Sequence, residues 1–259
     1  MGEKDKEMKK LMFTAALAAA LVAVGDGLQS NNTVGYQEKE IGSFNLTLTT
    51  FAAIGADSVL GDIKPNAAFV NGGTIQTFTS AGKAGPVYIW VNDPEMLEAF
   101  EAEEGWYLLE DDELTSCKNS EQLPFTTGFV AKSPAAGSKL IYAGEVKSTA
   151  TQIPVGGFTL SGNCSPNDIT LASITPNAAF INGGTIQPFT SSGKAGSVYI
   201  WVNDPEMLEA FEATEGWYLL EDDELTTNQG SVPVSAGEAF VAKAVGAGST
   251  ISIPSAINQ

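Results

Sequence analysis

The chain contains no histidine and no arginine, because all thirteen of its basic residues are lysines. Without histidine there is no Ser-His-Asp or Cys-His catalytic arrangement and no imidazole ligand for a metal. Without arginine the chain lacks the bidentate fork that recognises phosphate groups and guanine bases. Its net charge of −18 also repels polyanions. We therefore expect neither nucleic acid nor an anionic lipid surface as a partner.

Charged residues make up only 17% of the 259 residues, whereas hydrophobic residues make up 43%. This amount of apolar material can fill packed cores, so the composition predicts a globular protein rather than a disordered acidic chain. The length allows one large domain or two domains of about 100 to 130 residues each.

No apolar run is long enough to span a bilayer, which takes about 20 residues. The run Leu11–Val24 follows Met8, Lys9 and Lys10 and precedes the polar stretch GDGLQSNN. This order is typical of a secretory signal peptide, which we expect to occupy residues 1–30, with Met8 as an alternative start. The alternative is a buried core helix. We therefore expect an exported protein, in the periplasm, at the cell surface or extracellular, without a membrane span in the mature chain.

An internal repeat organises the rest of the chain. Ile63–Thr115 aligns with Ile174–Thr226 at an offset of 111 residues, and 47 of these 53 positions are identical. We interpret this as the duplication of a whole module. The predicted first repeat covers residues 34–146, a linker covers 147–152, and the second repeat covers 153–259.

Both repeats are dominated by strand signals. Segments such as TIQTF (Thr74–Phe78) and VYIWV (Val87–Val91) are rich in β-branched and aromatic residues, with Gly, Pro, Asn and Ser between them. The sequence predicts a mainly β fold of two tandem homologous antiparallel β-sandwich or barrel-like modules, each with one short helix.

The helix is predicted for the stretch that follows VYIWV. Asp93 can accept hydrogen bonds from the free amides of a helix start, and Pro94 suits the first helical position. We predict two to three turns, with Met96, Leu97 and Phe100 facing the sheet. An irregular loop is the alternative, because the neighbouring glutamates lack lysine partners.

Aromatic side chains alternate on one predicted strand of each repeat. These are Tyr88 and Trp90 in the first repeat and Tyr199 and Trp201 in the second. Exposed aromatics on a sheet can stack on sugar rings, so these four residues are candidates for binding a carbohydrate ligand. The alternative is that they belong to the hydrophobic core.

Each repeat also carries an acidic EDDE run, whose carboxylates could bind calcium. The run does not match the D-x-D-x-D-G pattern of calcium loops, so a solvated acidic loop is the alternative. With 31 acidic residues, a carboxylate pair suited to glycoside hydrolysis arises by chance, and we expect no enzyme and no cofactor other than calcium. The candidate metal ligands are Glu110, Asp111 and Asp112 in the first repeat and Glu221, Asp222 and Asp223 in the second.

Two cysteines, Cys117 and Cys164, lie one in each repeat. The offset of 111 places Asn228 opposite Cys117, and an offset of 114 for the first strands places Thr50 opposite Cys164. In an oxidising compartment such a pair predicts a disulfide between the repeats, closing a loop of 47 residues. The alternative is two free thiols, because a disulfide needs Cα atoms within about 7 Å of each other.

Short motifs recur along the chain: NNTVGYQ after the apolar run, then SFNL, TIQ, GWY, GFVAK and AGEV. With these motifs the chain resembles a family of exported β-module proteins from the verrucomicrobial group of bacteria. The resemblance implies export and a β module, and it carries over no role for any residue. The second repeat ends in ISIPSAINQ and lacks the closing AGEV motif.

Two copies of one module give a chain two equivalent sites, which raises avidity for a partner. We therefore expect an exported, non-catalytic structural or adhesive protein with a protein or glycan partner at the cell surface. The alternative is an extracytoplasmic module that binds carbohydrate or calcium.

Overall fold

The computed structural model describes most of the chain beyond residue 32, and the described residues from position 34 onward form one compact unit. The predicted signal peptide lies outside the described residues. The described ranges are 33–41, 46–49, 59–69, 72–79, 82–123, 126–133, 135–181, 183–189 and 193–255.

The described residues of the first repeat form eight strands and one α-helix. In chain order these are β1 (Thr33–Ile41), β2 (Leu46–Thr49), β3 (Lys64–Pro65), β4 (Thr74–Phe78), β5 (Ala84–Val91), α1 (Pro94–Ala99), β6 (Gly105–Leu108), β7 (Phe129–Lys132) and β8 (Ser138–Val146). A single 3₁₀ turn at Leu60–Asp62 precedes β3.

In the part of the second repeat that the structure describes there are ten strands and one α-helix, with a 3₁₀ turn at Leu171–Ser173. In chain order these are β9 (Thr151–Pro154), β10 (Thr159–Gly162), β11 (Ile169–Thr170), β12 (Thr175–Pro176), β13 (Thr185–Pro188), β14 (Tyr199–Val202), α2 (Pro205–Ala210), β15 (Gly216–Leu219), β16 (Pro233–Val234), β17 (Ala239–Lys243) and β18 (Thr250–Ile253).

The strands assemble into antiparallel sheets with the same order in both repeats. The first repeat has a five-stranded sheet β2-β7-β4-β5-β6 and a three-stranded sheet β1-β8-β3. The second has β10-β17-β13-β14-β15 and β12-β18-β9, with a small β11-β16 pair. The large sheets are open, each with two edge strands. The prediction of a mainly β, antiparallel fold with two short helices is confirmed.

The strand register corrects one detail of the alignment. Thr47 lies opposite Ala131 and Thr159 lies opposite Ala242, which gives an offset of 112 for β2 and β10. The offset of 114 inferred from the sequence is therefore wrong for these two strands.

The main core of each repeat is built around a buried tryptophan. In the first repeat Trp106 is fully buried, its indole N–H donates to the carbonyl oxygen of Ile63 at 3.2 Å, and its ring lies 5.1 Å from that of Trp90. In the second repeat Trp217 donates to the carbonyl of Ile174 at the same 3.2 Å. Edge-on aromatic pairs of this kind add stability beyond the area that they bury.

A second, smaller cluster covers the opposite face of β5 and β6. Val91, Tyr107 and Leu114 are buried there, and the partly buried Leu97 of α1 packs against them. Successive residues of a strand point to opposite faces, so the aromatics of β5 face the main core while its aliphatic residues face the helix. Both faces of this hairpin are therefore covered.

The helix and its cap are confirmed, but the helix is shorter than predicted. The Asp93 carboxylate accepts hydrogen bonds from the amides of Glu95 at 2.9 Å and Met96 at 3.4 Å. The helix has six residues, about 1.7 turns at 3.6 residues per turn. It ends because Glu101 adopts a left-handed φ of 50°. The predicted length of two to three turns is wrong.

The predicted facing of the helix is also wrong for two of its three apolar residues. Leu97 packs inward, whereas Met96 is 37% exposed and Phe100 is 43% exposed. A helix of fewer than two turns offers one position to the sheet, and Leu97 occupies it. No helix in the described part of the chain is long and apolar enough to cross a membrane.

The two repeats meet at a direct junction. The amide of Gly128 donates to the carbonyl of Leu160 at 3.0 Å, and the Ser161 hydroxyl donates to the carbonyl of Thr126. Gly82 lies against Phe158 so closely that a Cβ on the glycine would stand 2.4 Å from the ring. Residues 126–128 of the first repeat thereby cover the outer edge of β10.

Candidate functional site

The aromatic residues proposed for sugar stacking are not an exposed strip. Tyr88, Trp90 and Tyr199 are only 3%, 5% and 9% exposed, and Trp201 packs partly buried against the main core of the second repeat. The prediction of a carbohydrate-binding surface at these residues is wrong, because their side chains point to the face of the sheet where the core tryptophans lie. Tyr88, Trp90 and Tyr199 belong to the buried core, and Trp201 packs against it.

The acidic runs do not assemble a metal site. The Asp111 carboxylate accepts from the amide and hydroxyl of Thr115 and from the amide of Ser116, each at 3.1 Å. These hydrogen bonds, led by the one from the Thr115 backbone, hold the pKa of Asp111 below its ordinary value. The carboxylate therefore braces its own loop instead of facing a common centre.

Asp222 occupies the same position in the second repeat, and its pKa is likewise lowered by the hydrogen bonds of Thr226 and Thr227. Within the described ranges no group of three or more potential ligands converges to hold a metal ion. The geometry therefore does not support the calcium prediction for Glu110, Asp111 and Asp112, or for Glu221, Asp222 and Asp223, and calcium binding there stays a prediction. The alternative of a solvated acidic loop describes both runs.

The predicted disulfide is not formed, and both cysteines are free thiols. Cys117 is exposed on the first repeat, whereas Cys164 is buried in the core of the second. Burial raises the pKa of the Cys164 thiol to about 11. Cys117 and Cys164 are therefore two separate free thiols in the structure, as in the alternative given above.

The surface feature that sequence reasoning missed lies on the helices. In the first repeat the exposed Met96 and Phe100 stand among the exposed Glu95, Glu98 and Glu101. We call these five residues the helix patch. The helix patch of the second repeat consists of Met207, Phe211, Glu206, Glu209 and Glu212.

The two helix patches have the same exposure. Met207 is 37% exposed and Phe211 is 42% exposed, within one percentage point of Met96 and Phe100. The Asp204 carboxylate caps α2 as Asp93 caps α1, accepting from the amide of Glu206 at 2.9 Å. Glu212 also adopts a left-handed φ of 50°, so the helix ends in the same way.

The field around each patch is negative. Ten acidic residues and no basic residue lie between Lys83 and Lys118, and the same counts hold between Lys194 and Lys243. The glutamates of both patches are exposed to solvent.

Each repeat also has a shallow groove. It lies at the end of the β5–β6 or β14–β15 hairpin that is remote from the helix. In the first repeat its volume is about 370 Å³, and Pro86, Val87 and the half-exposed Leu109 line it. The equivalent groove of the second repeat, about 260 Å³, is lined by Ser197, Val198, Leu220 and Glu221. Both grooves are open and end on an acidic residue.

Sequence identity between the repeats is concentrated where the patches lie. In contrast to the 47 identical positions of 53 noted above, only eight of the 31 positions from Ser116 to Val146 match their counterparts. Both flanking regions nevertheless form the same strands, β7 and β8 in one repeat and β17 and β18 in the other. The fold therefore tolerates divergence that the central segment has not undergone.

The identity of the central segment extends to its surface. From Pro94 to Thr115 fourteen positions are exposed in each repeat, and thirteen carry the same residue. The exception is Glu103, which Thr214 replaces.

Comparison of the chain with protein-family models, with curated proteins and with solved structures found no match. The functional argument therefore rests on the residues and their geometry.

Proposed function

We propose that the chain is an exported, non-catalytic interaction protein in which two repeats of a duplicated module present the same helix patch to a partner at the cell surface. The observation that carries the proposal is the pair of matching patches, in which Met96 and Phe100 correspond to Met207 and Phe211 in identity and exposure. Export follows from the predicted signal peptide and accords with the resemblance to exported β-module proteins.

Exposed apolar residues are common on soluble proteins, so one methionine beside one phenylalanine would carry little weight. An identical exposed methionine and phenylalanine in the second repeat carry more weight, because the two repeats differ in sequence in other regions that keep the same fold. Packing explains why buried positions stay identical. It does not explain identity at exposed positions, whereas binding of the same partner does.

Glu101 and Glu212 support the same conclusion. A non-glycine residue with φ near +50° costs of order 1 kcal/mol, and glycine would relieve that cost. Both repeats nevertheless keep glutamate at this position, beside the exposed phenylalanine. A charged side chain at the end of the helix is consistent with a role in binding.

Two equivalent patches on one chain suit an adhesive or structural role. Once one patch is occupied, the second meets a partner surface at a high effective concentration, so overall avidity exceeds the affinity of either patch. An enzyme gains no comparable advantage from a second copy of the same site.

Site-specific photo-cross-linking in the native cell tests the proposal. A photoreactive amino acid is placed at Ala99 or Ala210, which are exposed equivalents on α1 and α2. Ala136 and Ala247 are a matched control pair, because they are also exposed, equivalent alanines but lie outside the patches. We expect one adduct mass from both helix positions, Ala99 and Ala210, and none from the control pair. Different adducts at Ala99 and Ala210, or none, would overturn the proposal.

A further inference from the structure

We infer that each helix patch binds a lysine- or arginine-rich protein segment that also carries aliphatic or aromatic side chains. The inference rests on the proposed function and names the partner class for the same surface. It draws on the apolar residues of the patch, on its charge and on the occupants that the charge excludes.

The apolar part of the patch has two members four residues apart. Residues at i and i+4 are neighbours on a helix, so Met96 and Phe100 form one continuous apolar surface. Methionine adapts to differently shaped apolar partners. The face of an exposed phenylalanine ring attracts lysine or arginine through the cation–π interaction. This surface therefore accepts both the apolar and the cationic groups of a partner.

The charged part of the patch selects the sign of the partner. Glu95, Glu98 and Glu101 flank the apolar pair, and the loop Glu110–Glu113 adds further negative charge to the same repeat. Complementary charge raises association rates and excludes partners of the same sign. A cationic segment is complementary to this field over its whole length.

The same field argues against the other occupants of an exposed apolar helix face. An anionic membrane surface is repelled. A second copy of this chain is repelled, because each copy carries a net charge of −18. A bare metal ion lacks a converging set of ligands among the described residues. A basic protein segment with apolar side chains complements both the charge and the apolar surface of the patch.

The probe is a fluorescent synthetic peptide of alternating lysine and leucine, titrated into the full mature chain at low salt. Two comparison peptides replace lysine with glutamate or leucine with serine. We expect two lysine–leucine peptides per chain, and at least about tenfold weaker binding of either comparison peptide. Affinity should also fall by about tenfold between 0.01 and 0.15 M salt, since the Debye length shortens from about 30 to about 8 Å.

Variants locate the binding. Met96→Ser with Phe100→Ser should reduce the stoichiometry from two peptides to one, and adding Met207→Ser with Phe211→Ser should abolish binding. Val245→Ser is the matched control, because Val245 is 64% exposed and lies outside the patches. This variant should still bind two peptides.

A charge reversal keeps the inference testable even if a serine variant unfolds. Glu98→Lys with Glu101→Lys in the first repeat should make that patch prefer the glutamate–leucine peptide. Equal binding of the lysine–leucine and glutamate–leucine peptides to the unmodified chain would overturn the inference, as would no binding of either.

The cross-linking experiment separates the two claims. A common adduct at Ala99 and Ala210 without binding of the lysine–leucine peptide would overturn the partner chemistry and leave the interaction function standing. Absence of that adduct would overturn the interaction function itself, whatever the peptide does.

Discussion

Asp93 and Asp204 each stabilise the start of a helix of only six residues. Replacing either by alanine removes the acceptor for two free amides and should lower the free energy of unfolding by about 0.5 to 2 kcal/mol. Urea denaturation measures the change. Asp112→Ala is the matched control, since Asp112 is an exposed aspartate outside the caps. Equal effects of the cap variants and the control would show that the caps are dispensable.

Replacing Glu101 or Glu212 by glycine should stabilise the protein, in contrast to the cap variants. At a φ of 50° glycine has no steric cost, so Glu101→Gly or Glu212→Gly should raise the free energy of unfolding by about 0.5 to 1 kcal/mol. The same substitution at Glu98, inside α1, should lower it by about 1 kcal/mol. Thermal unfolding of the three variants tests these expectations. A lower stability of Glu101→Gly would contradict the left-handed helix end.

Glu238 makes the stability of the molecule depend on pH. Burial raises its pKa above the ordinary 4.5, although the Ser235 amide, which donates to it at 2.7 Å, and the charge of Lys39 act in the other direction. The folded state therefore holds this proton more tightly than the unfolded state. The stabilisation is fully present below pH 4.5 and is lost as the pH rises through the raised pKa.

Glu238→Gln should remove this contribution while keeping an oxygen to accept from Ser235. Between pH 4 and 7 the variant should gain stability relative to the unmodified chain. Asp111 and Asp222, whose lowered pKa values act with the opposite sign, are present in both proteins and cancel in the difference. The unfolding midpoints of both proteins at each pH measure this difference in stability. Parallel pH profiles would contradict the role of Glu238.

Local signals at the level of single elements were sufficient to predict the strands and the start of each helix. The TIQTF and VYIWV segments form strands, and the Asp93-Pro94 pair begins a helix, because turn and cap chemistry acts over a few residues. The direction in which side chains point could not be predicted in the same way. Tyr88 and Ile89 lie on opposite faces of β5 and both faces are covered, so alternation did not reveal which residues are exposed.

The site predictions failed for a related reason. Counting cysteines indicated a disulfide, but Cys164 is packed into the core of the second repeat. The run Glu110–Glu113 offered ligands, but Asp111 uses its oxygens within the loop. The helix patch was hidden because a short amphipathic pattern does not show which of its apolar residues face outward. For the cysteines and the helix patch, the outcome depends on packing between segments distant in sequence, whereas for Asp111 it depends on the loop conformation, which the run of acidic residues does not reveal.

Gly82 tests the junction at the scale of the whole molecule. Gly82 and Gly137 have similar positive φ values of 71° and 75°, so alanine incurs a similar backbone cost at both positions. Only at Gly82 does the new Cβ meet Phe158 of the other repeat, while nothing lies within 4 Å of a Cβ at Gly137. Gly82→Ala should therefore lower the unfolding midpoint more than Gly137→Ala. Equal shifts would show that the two repeats do not pack tightly at this point.

A fragment of residues 147–259 should fold without the first repeat. It keeps every strand from β9 to β18, and its core around Trp217 draws on the second repeat alone. Loss of the Gly128–Leu160 hydrogen bond uncovers one edge of β10, so the midpoint should be lower than in the full chain. Circular dichroism during urea denaturation would show cooperative unfolding. A fragment without β signal would mean that the repeats share one folding unit.

The four tryptophans also provide an intrinsic spectroscopic probe. They form two edge-on couples, Trp90 with Trp106 and Trp201 with Trp217, with ring centres 5.1 Å apart in both and interplanar angles of 63° and 62°. Transition dipoles so close and so oriented mix into exciton states, and the two repeats should contribute superimposed circular dichroism couplets. Trp201→Phe would remove the couplet of the second repeat, so the remaining couplet would report on the first repeat alone. The unfolding of each repeat could then be followed separately by its circular dichroism couplet.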